Sequence, residues 1–125
     1  MKVLIVCSVN SGKINPFITE QVAALQKLDI EMDFFTVNSK GIGGYLGHLP
    51  GLIRMIKTKS YDLVHAHYGL SGLLAVLQQR RPVVTTFHGS DVNQKKVIPF
   101  SRFAARLSAH NIVVEKSFAG KLGAH

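Results

Sequence analysis

The chain alternates short unbroken apolar runs with longer segments whose apolar residues recur every three or four positions. That is the pattern of buried parallel strands interleaved with amphipathic helices. Strands are predicted over Lys2–Ser8, Ile30–Val37, Asp62–Ala66, Pro82–Phe87 and Asn111–Val114. Helices are predicted over Pro16–Leu28, with Ile18, Val22, Leu25 and Leu28 facing the sheet, and over Leu49–Thr58, with Leu49, Leu52, Ile53 and Ile56 as the stripe. Two more are predicted over Gly69–Gln79 and over Ile98–Ala109, the latter with Phe100, Phe103, Ala104 and Leu107 as its apolar positions. Asn15 is a good N-cap and Pro16 suits a first helical position. The stretch NSKGIGGYLGHLPG after the second strand reads as a mobile glycine-rich loop, and EKSFAGKLGAH at the end opens one further helix. Strands and helices in strict alternation predict an α/β fold, a doubly wound parallel sheet in three α/β/α layers forming a single domain. The expected strand order is 3-2-1-4-5.

The centre of the chain, YDLVHAHYGLSGLLAVLQQRRPVVTTFHGSDVN, is a β-α-β unit. Parallel strands joined by a right-handed crossover have their C-terminal ends on one edge. The loop carrying His65, His67, Tyr68 and Gly69 is therefore expected beside the one carrying His88, Gly89, Ser90 and Asp91, at the edge where open α/β sheets bind ligands.

Composition fills in the setting. A length of 125 residues with 46% hydrophobic content suffices for one packed core and excludes a disordered chain. The single cysteine, Cys7, lies within the first strand, so no intrachain disulfide can form and a buried, inert thiol is expected. No apolar run approaches the ~18 residues of a membrane span, and Val6 is too bulky for a small-residue cleavage site before Cys7. A cytoplasmic protein is expected, held peripherally at the inner face of the membrane if it meets one.

Charge changes the picture more. The net charge is +8, yet residues 1–39 hold three lysines against four acids. The excess comes from Lys40, Arg54, Lys57 and Lys59, then from Lys95, Lys96, Arg102 and Arg106, two stretches without an acid. Apolar and basic residues share the short Leu49–Thr58 helix, which suits an anionic lipid surface contacted by Arg54, Lys57 and Lys59, or equally a stripe packed on the sheet under a solvated basic face. Aromatics interleaved with base-reading side chains are missing, so nucleic acid is not the expected partner.

Three chemistries are open at the ligand edge. His65 and His67 at i and i+2 point the same way in a strand and with His88 and Asp91 could form a mixed metal site, although His65 also fits a core residue hydrogen-bonded within the sheet. Ser71 or Ser90 with His88 and Asp91 could be assembled into a hydrolase triad, but no G-x-S-x-G supports it. In the third, His88 is a polar contact or proton-transfer group, Asp91 holds a hydroxyl or orients the ring, and Gly89 opens the backbone to a polyhydroxyl substrate. Gly12 and Lys13, between the first strand and its helix, could bring amides and a cation to an anionic group, although neither a G-x-G-x-x-G nor a Walker motif is present.

YDLVHAHYGLSGLLAV followed by RPVVTTFHGSDV resembles the N-terminal Rossmann-like domain of family 4 glycosyltransferases, retaining enzymes of two-domain GT-B architecture. MKVLIVCS resembles that family's first strand, and HNIVVEKSFAGKL the strand and helix before its second domain. The resemblance implies a hexosyltransferase-like enzyme that moves a sugar from a nucleotide-sugar donor to a glycan or lipid-linked acceptor. It implies that residues 1–125 are the acceptor-side domain, with the C-terminal nucleotide-sugar domain outside them and needed in cis or in trans. It places His88 and Asp91 beside the transferred sugar as catalytic residues, with Gly12, Lys13, His67, Tyr68, Gly69, Gly89 and Ser90 around the substrates. It implies no metal and no cofactor, since the nucleotide-sugar is a substrate.

Overall fold

A computed structural model describes residues 1–9, 16–38, 41–87 and 98–113. In chain order the elements are β1 (Lys2–Ser8), α1 (Pro16–Gln26), β2 (Glu31–Val37), α2 (Gly41–Leu46), α3 (Leu49–Thr58), β3 (Leu63–His67), α4 (Gly69–Leu77) and β4 (Val83–Phe87). The helix Ile98–Leu107, α5 here, and β5 (His110–Val113) complete them. All strands pair in parallel, in the order β2-β1-β3-β4-β5. This is the expected doubly wound sheet, but the strand order differs from the expected 3-2-1-4-5. The chain leaving β2 returns through α2 and α3 on the face opposite α1 and lays β3 along the open edge of β1, and α4 then sets β4 directly beside β3.

Alternation along β1 divides the core. Val3, Ile5 and Cys7 pack with Ile18 and Val22 of α1, whereas Leu4 and Val6 pack with Tyr45 of α2, Leu52 and Ile56 of α3 and Leu74 and Ala75 of α4. Phe87 and Ala105 seat α5 on this second face. Among the described residues, one helix covers one face and four cover the other.

Three local expectations are corrected. The glycine-rich stretch forms the helix α2, because Tyr45 anchors it at 6% exposure in the core. Helix α1 stops at Gln26, where Asp29 adopts φ 62°, so Leu28 falls beyond the stripe and is 70% exposed. Helix α5 is turned from its predicted phase: Ser101, Ala104 and Ala105 are buried, while Phe103 and Leu107 are 44% and 48% exposed. Close approach explains that turn. A Cβ on Gly72 of α4 would lie 2.7 Å from Thr85 Cγ2 and 3.2 Å from Ala104 Cβ, so only small residues fit where α4, β4 and α5 meet.

Candidate functional site

The C-terminal ends of β3 and β4 are locked together at one edge of the sheet, the edge at which the sequence predicts the site. His67 stands opposite Thr86, and the Tyr68 amide donates to the Thr86 carbonyl at 2.9 Å. Thr86 also reaches back to His65, two residues before His67, with its Oγ1 and His65 Nε2 2.8 Å apart in a hydrogen bond. The expected common direction of His65 and His67 is observed: their rings stack with centroids 4.5 Å apart and planes at 26°, and both residues are buried. They line the α1 face, since Leu63 on the same side of β3 packs with the α1 cluster.

Tyr68 then turns the chain into α4 with φ 78° and ψ 155°, a backbone conformation costly for a residue with a side chain. Its ring packs against the α1 cluster and its carbonyl accepts the first helical bond from Gly72 at 2.9 Å. Such a conformation costs ~1–3 kcal/mol, and here it lies at the C-terminal edge of the sheet. Gly69 opens α4 immediately after it.

His88, Gly89, Ser90, Asp91, Gly12 and Lys13 lie outside the described residues. Among the described residues no group of three or more His, Cys, Asp or Glu is placed to hold a metal. Ser71 is fully buried in the first turn of α4, and among the described residues no base is hydrogen-bonded to its Oγ. Cys7 is fully buried, and burial pushes its thiol up to about 11, which keeps it protonated and inert at neutral pH. Thr86 was not apparent as a site residue from the sequence. Its signal is positional, two residues before His88 in an extended strand and on the same face as the two buried histidines.

Arg54 and Lys57 of α3 and Lys59 just past its end are exposed, with Lys59 Nζ 3.8 Å from Asp33 Oδ2. The apolar residues beneath them are committed to the core, Leu52 and Ile56 being buried and Leu49 and Met55 packed against the same cluster.

The family model for Glycosyltransferase Family 4 matches residues 19–125. The chain belongs to that family. It is therefore a glycosyltransferase-type domain built on a Rossmann-like parallel sheet. No curated protein matches it. Among solved structures it is similar to UDP-GlcNAc 2-epimerase from Methanocaldococcus jannaschii, with a TM-score of 0.71 at 14% identity over 98% of this chain. That likeness shows the shared fold, and the chain spans 42% of the epimerase chain. In this family 4 domain, the H-x-H segment ends β3 beside the end of β4, the strand that precedes the H-G-S-D segment in the sequence.

Proposed function

We propose that this domain is the acceptor-side half of a glycosyltransferase that moves a sugar from a nucleotide-sugar donor to a hydroxyl of a glycan or lipid-linked acceptor. The observation that carries the reading is the lock between β3 and β4, where the Thr86 carbonyl and hydroxyl hold both Tyr68 and His65 at the ligand edge. A fixed pair of strand ends holds Tyr68 and His65 in place with little reorganisation, which is how positioning lowers a barrier. In the transfer, the bond from the sugar's anomeric carbon to the nucleotide phosphate breaks, a bond to the acceptor oxygen forms, and the acceptor hydroxyl loses its proton. His88 is proposed beside the transferred sugar as a polar contact or proton-transfer group, with Asp91 holding a hydroxyl or orienting its ring. His67, Tyr68, Gly69, Gly89 and Ser90 are proposed around the acceptor, and Gly12 and Lys13 beside the donor phosphates or the acceptor.

The donor is proposed to bind chiefly to a second domain, in cis or in trans, so that these residues alone transfer nothing. The reading calls on no metal or cofactor, and it places the reaction on the cytoplasmic side of the membrane. The test is His88→Ala in the complete enzyme. Turnover is expected to fall ~10²- to 10⁴-fold, the usual contribution of a positioned proton-transfer group, with the urea midpoint little changed. Unchanged turnover would assign His88 to structure.

A further inference from the structure

The strand order sorts the chain's charge by face. Among the described residues, the acids are Glu20 on α1, Asp29 after it, Glu31 and Asp33 on β2 and Asp62 before β3. Helices α2, α3, α4 and α5, which together cover one face of the sheet, contain none. That layer and the turn at its lower end expose Arg54, Lys57, Arg80, Arg81, Arg102 and Arg106. Among the described residues, an excess of exposed positive charge therefore lies on this side of the sheet.

Two features make this more than a solvated basic surface. On α5, Phe103 and Leu107 are 44% and 48% exposed and lie one turn apart, beside Arg102 and Arg106 at the same spacing. Apolar side chains outward among arginines, on a helix seated by small residues, form the pattern of a helix lying in a lipid interface. Beside it, a cleft of about 530 Å³ opens between the ends of α4 and α5, with Val76, Pro82, Val83 and Leu107 as apolar wall and Arg80 and Arg81 as its cations. The turn carrying those arginines is fixed. Buried Gln78 accepts from the Arg80 amide at 2.7 Å and the Arg81 amide at 3.0 Å and donates to the Arg81 carbonyl at 2.7 Å, while Arg81 Nε donates to the Tyr61 carbonyl at 2.7 Å.

We infer that the outer face of the α3–α4–α5 layer docks on an anionic phospholipid membrane, with Phe103 and Leu107 entering the interface and the arginines around them meeting lipid phosphates. This goes beyond contact through the α3 cations, because Leu52 and Ile56 of α3 are buried and Leu49 and Met55 pack on the core, whereas Phe103 and Leu107 of α5 are exposed. A nucleic-acid duplex would supply the phosphates but no apolar layer for Phe103 and Leu107. The inference deepens the membrane-side transferase reading by naming the face involved. Its experiment measures binding and not transfer, so either can fail without the other.

Co-sedimentation with vesicles of phosphatidylcholine, alone or mixed with phosphatidylglycerol, tests it at low and high salt. Binding is expected to the mixed vesicles only and to fall as salt screens the arginines. Each arginine near a negative leaflet contributes about fivefold to partition, so R102Q/R106Q should bind about 25-fold more weakly. Phe103→Ser should cost about tenfold by withdrawing apolar area from the interface. Lys27→Gln, beyond the end of α1 on the opposite side, should change nothing, and the exposed sites keep the variants folded, as circular dichroism would check. Equal binding to neutral vesicles, no binding to either, insensitivity to R102Q/R106Q, or tighter binding to duplex DNA at equal phosphate and salt would each overturn the inference.

Discussion

Tyr61 shows how one residue ties three segments together. Its hydroxyl donates to Asp33 Oδ2 on β2 at 2.5 Å, its carbonyl receives Arg81 Nε, and the Lys2 ammonium lies 5.4 Å from its ring centre. The hydroxyl holds the Asp33 carboxyl below the usual carboxylate range, helped by the nearby Lys59 and Lys2 charges against a smaller opposing effect of burial. Burial first, and then the hydrogen bond and charge of Asp33, raise the Tyr61 hydroxyl. A carboxylate with a lowered folded pKa contributes stability above its ordinary value of ~3.9, and that contribution is lost as pH falls through the lowered value. Tyr61→Phe should cost about 1 kcal/mol at pH 7, less than a buried charged hydrogen bond because water reaches Asp33. In urea melts the difference from the unchanged protein should shrink on acidification through that range; a difference constant with pH would remove Asp33 from the account. Among single residues, the sequence is informative about direction and silent about partners. The i, i+2 spacing places His65 and His67 on one face, but the bond to Thr86 depends on strand register, and nothing marks Tyr68 as the residue that bears a positive φ.

Elements with one dominant apolar signal were legible to within a residue or two, as β1 and α3 show. Those shaped by their neighbours were not. A glycine-rich stretch has poor helix propensity, and α2 exists because Tyr45 reaches the core, which is a tertiary fact. Helix α5 was misphased because bulk suggests burial, whereas its seat on Gly72 and Thr85 accepts only Ala104 and similarly small side chains. That seat gives a direct test. Gly72→Ala gains ~1 kcal/mol of helix propensity but overpacks the junction by ~1–3 kcal/mol, so a net loss of about 1 kcal/mol is expected. Adding Thr85→Ser removes the Cγ2 that the new methyl meets and keeps a hydroxyl for Ser108, 2.8 Å away, so it should recover part of the loss. A Gly72→Ala protein as stable as the original in urea would show that α4 can shift off β4.

For the molecule as a whole, the parallel α/β class follows from alternating patterns, but strand order does not, because periodicity does not say along which edge of β1 the returning strand lies. That order has two consequences: it brings the ends of β3 and β4 together, and it collects the acid-free helices on one face. The family was legible in the sequence, as the match to Glycosyltransferase Family 4 shows, and of the candidate site the pairing of the β3 and β4 ends is described, while His88 to Asp91 lie outside the described residues. The central claim is that these residues supply the acceptor side of a sugar transfer and depend on a separate donor domain. Transfer of radiolabelled sugar to a cell-extract acceptor fraction, assayed with a panel of nucleotide-sugars, tests it most directly when the 125-residue chain is compared with the same chain supplied with its donor domain. The prediction is no transfer by the chain alone and measurable transfer with the second domain present; transfer by the chain alone, in a preparation free of complete enzyme, would contradict it.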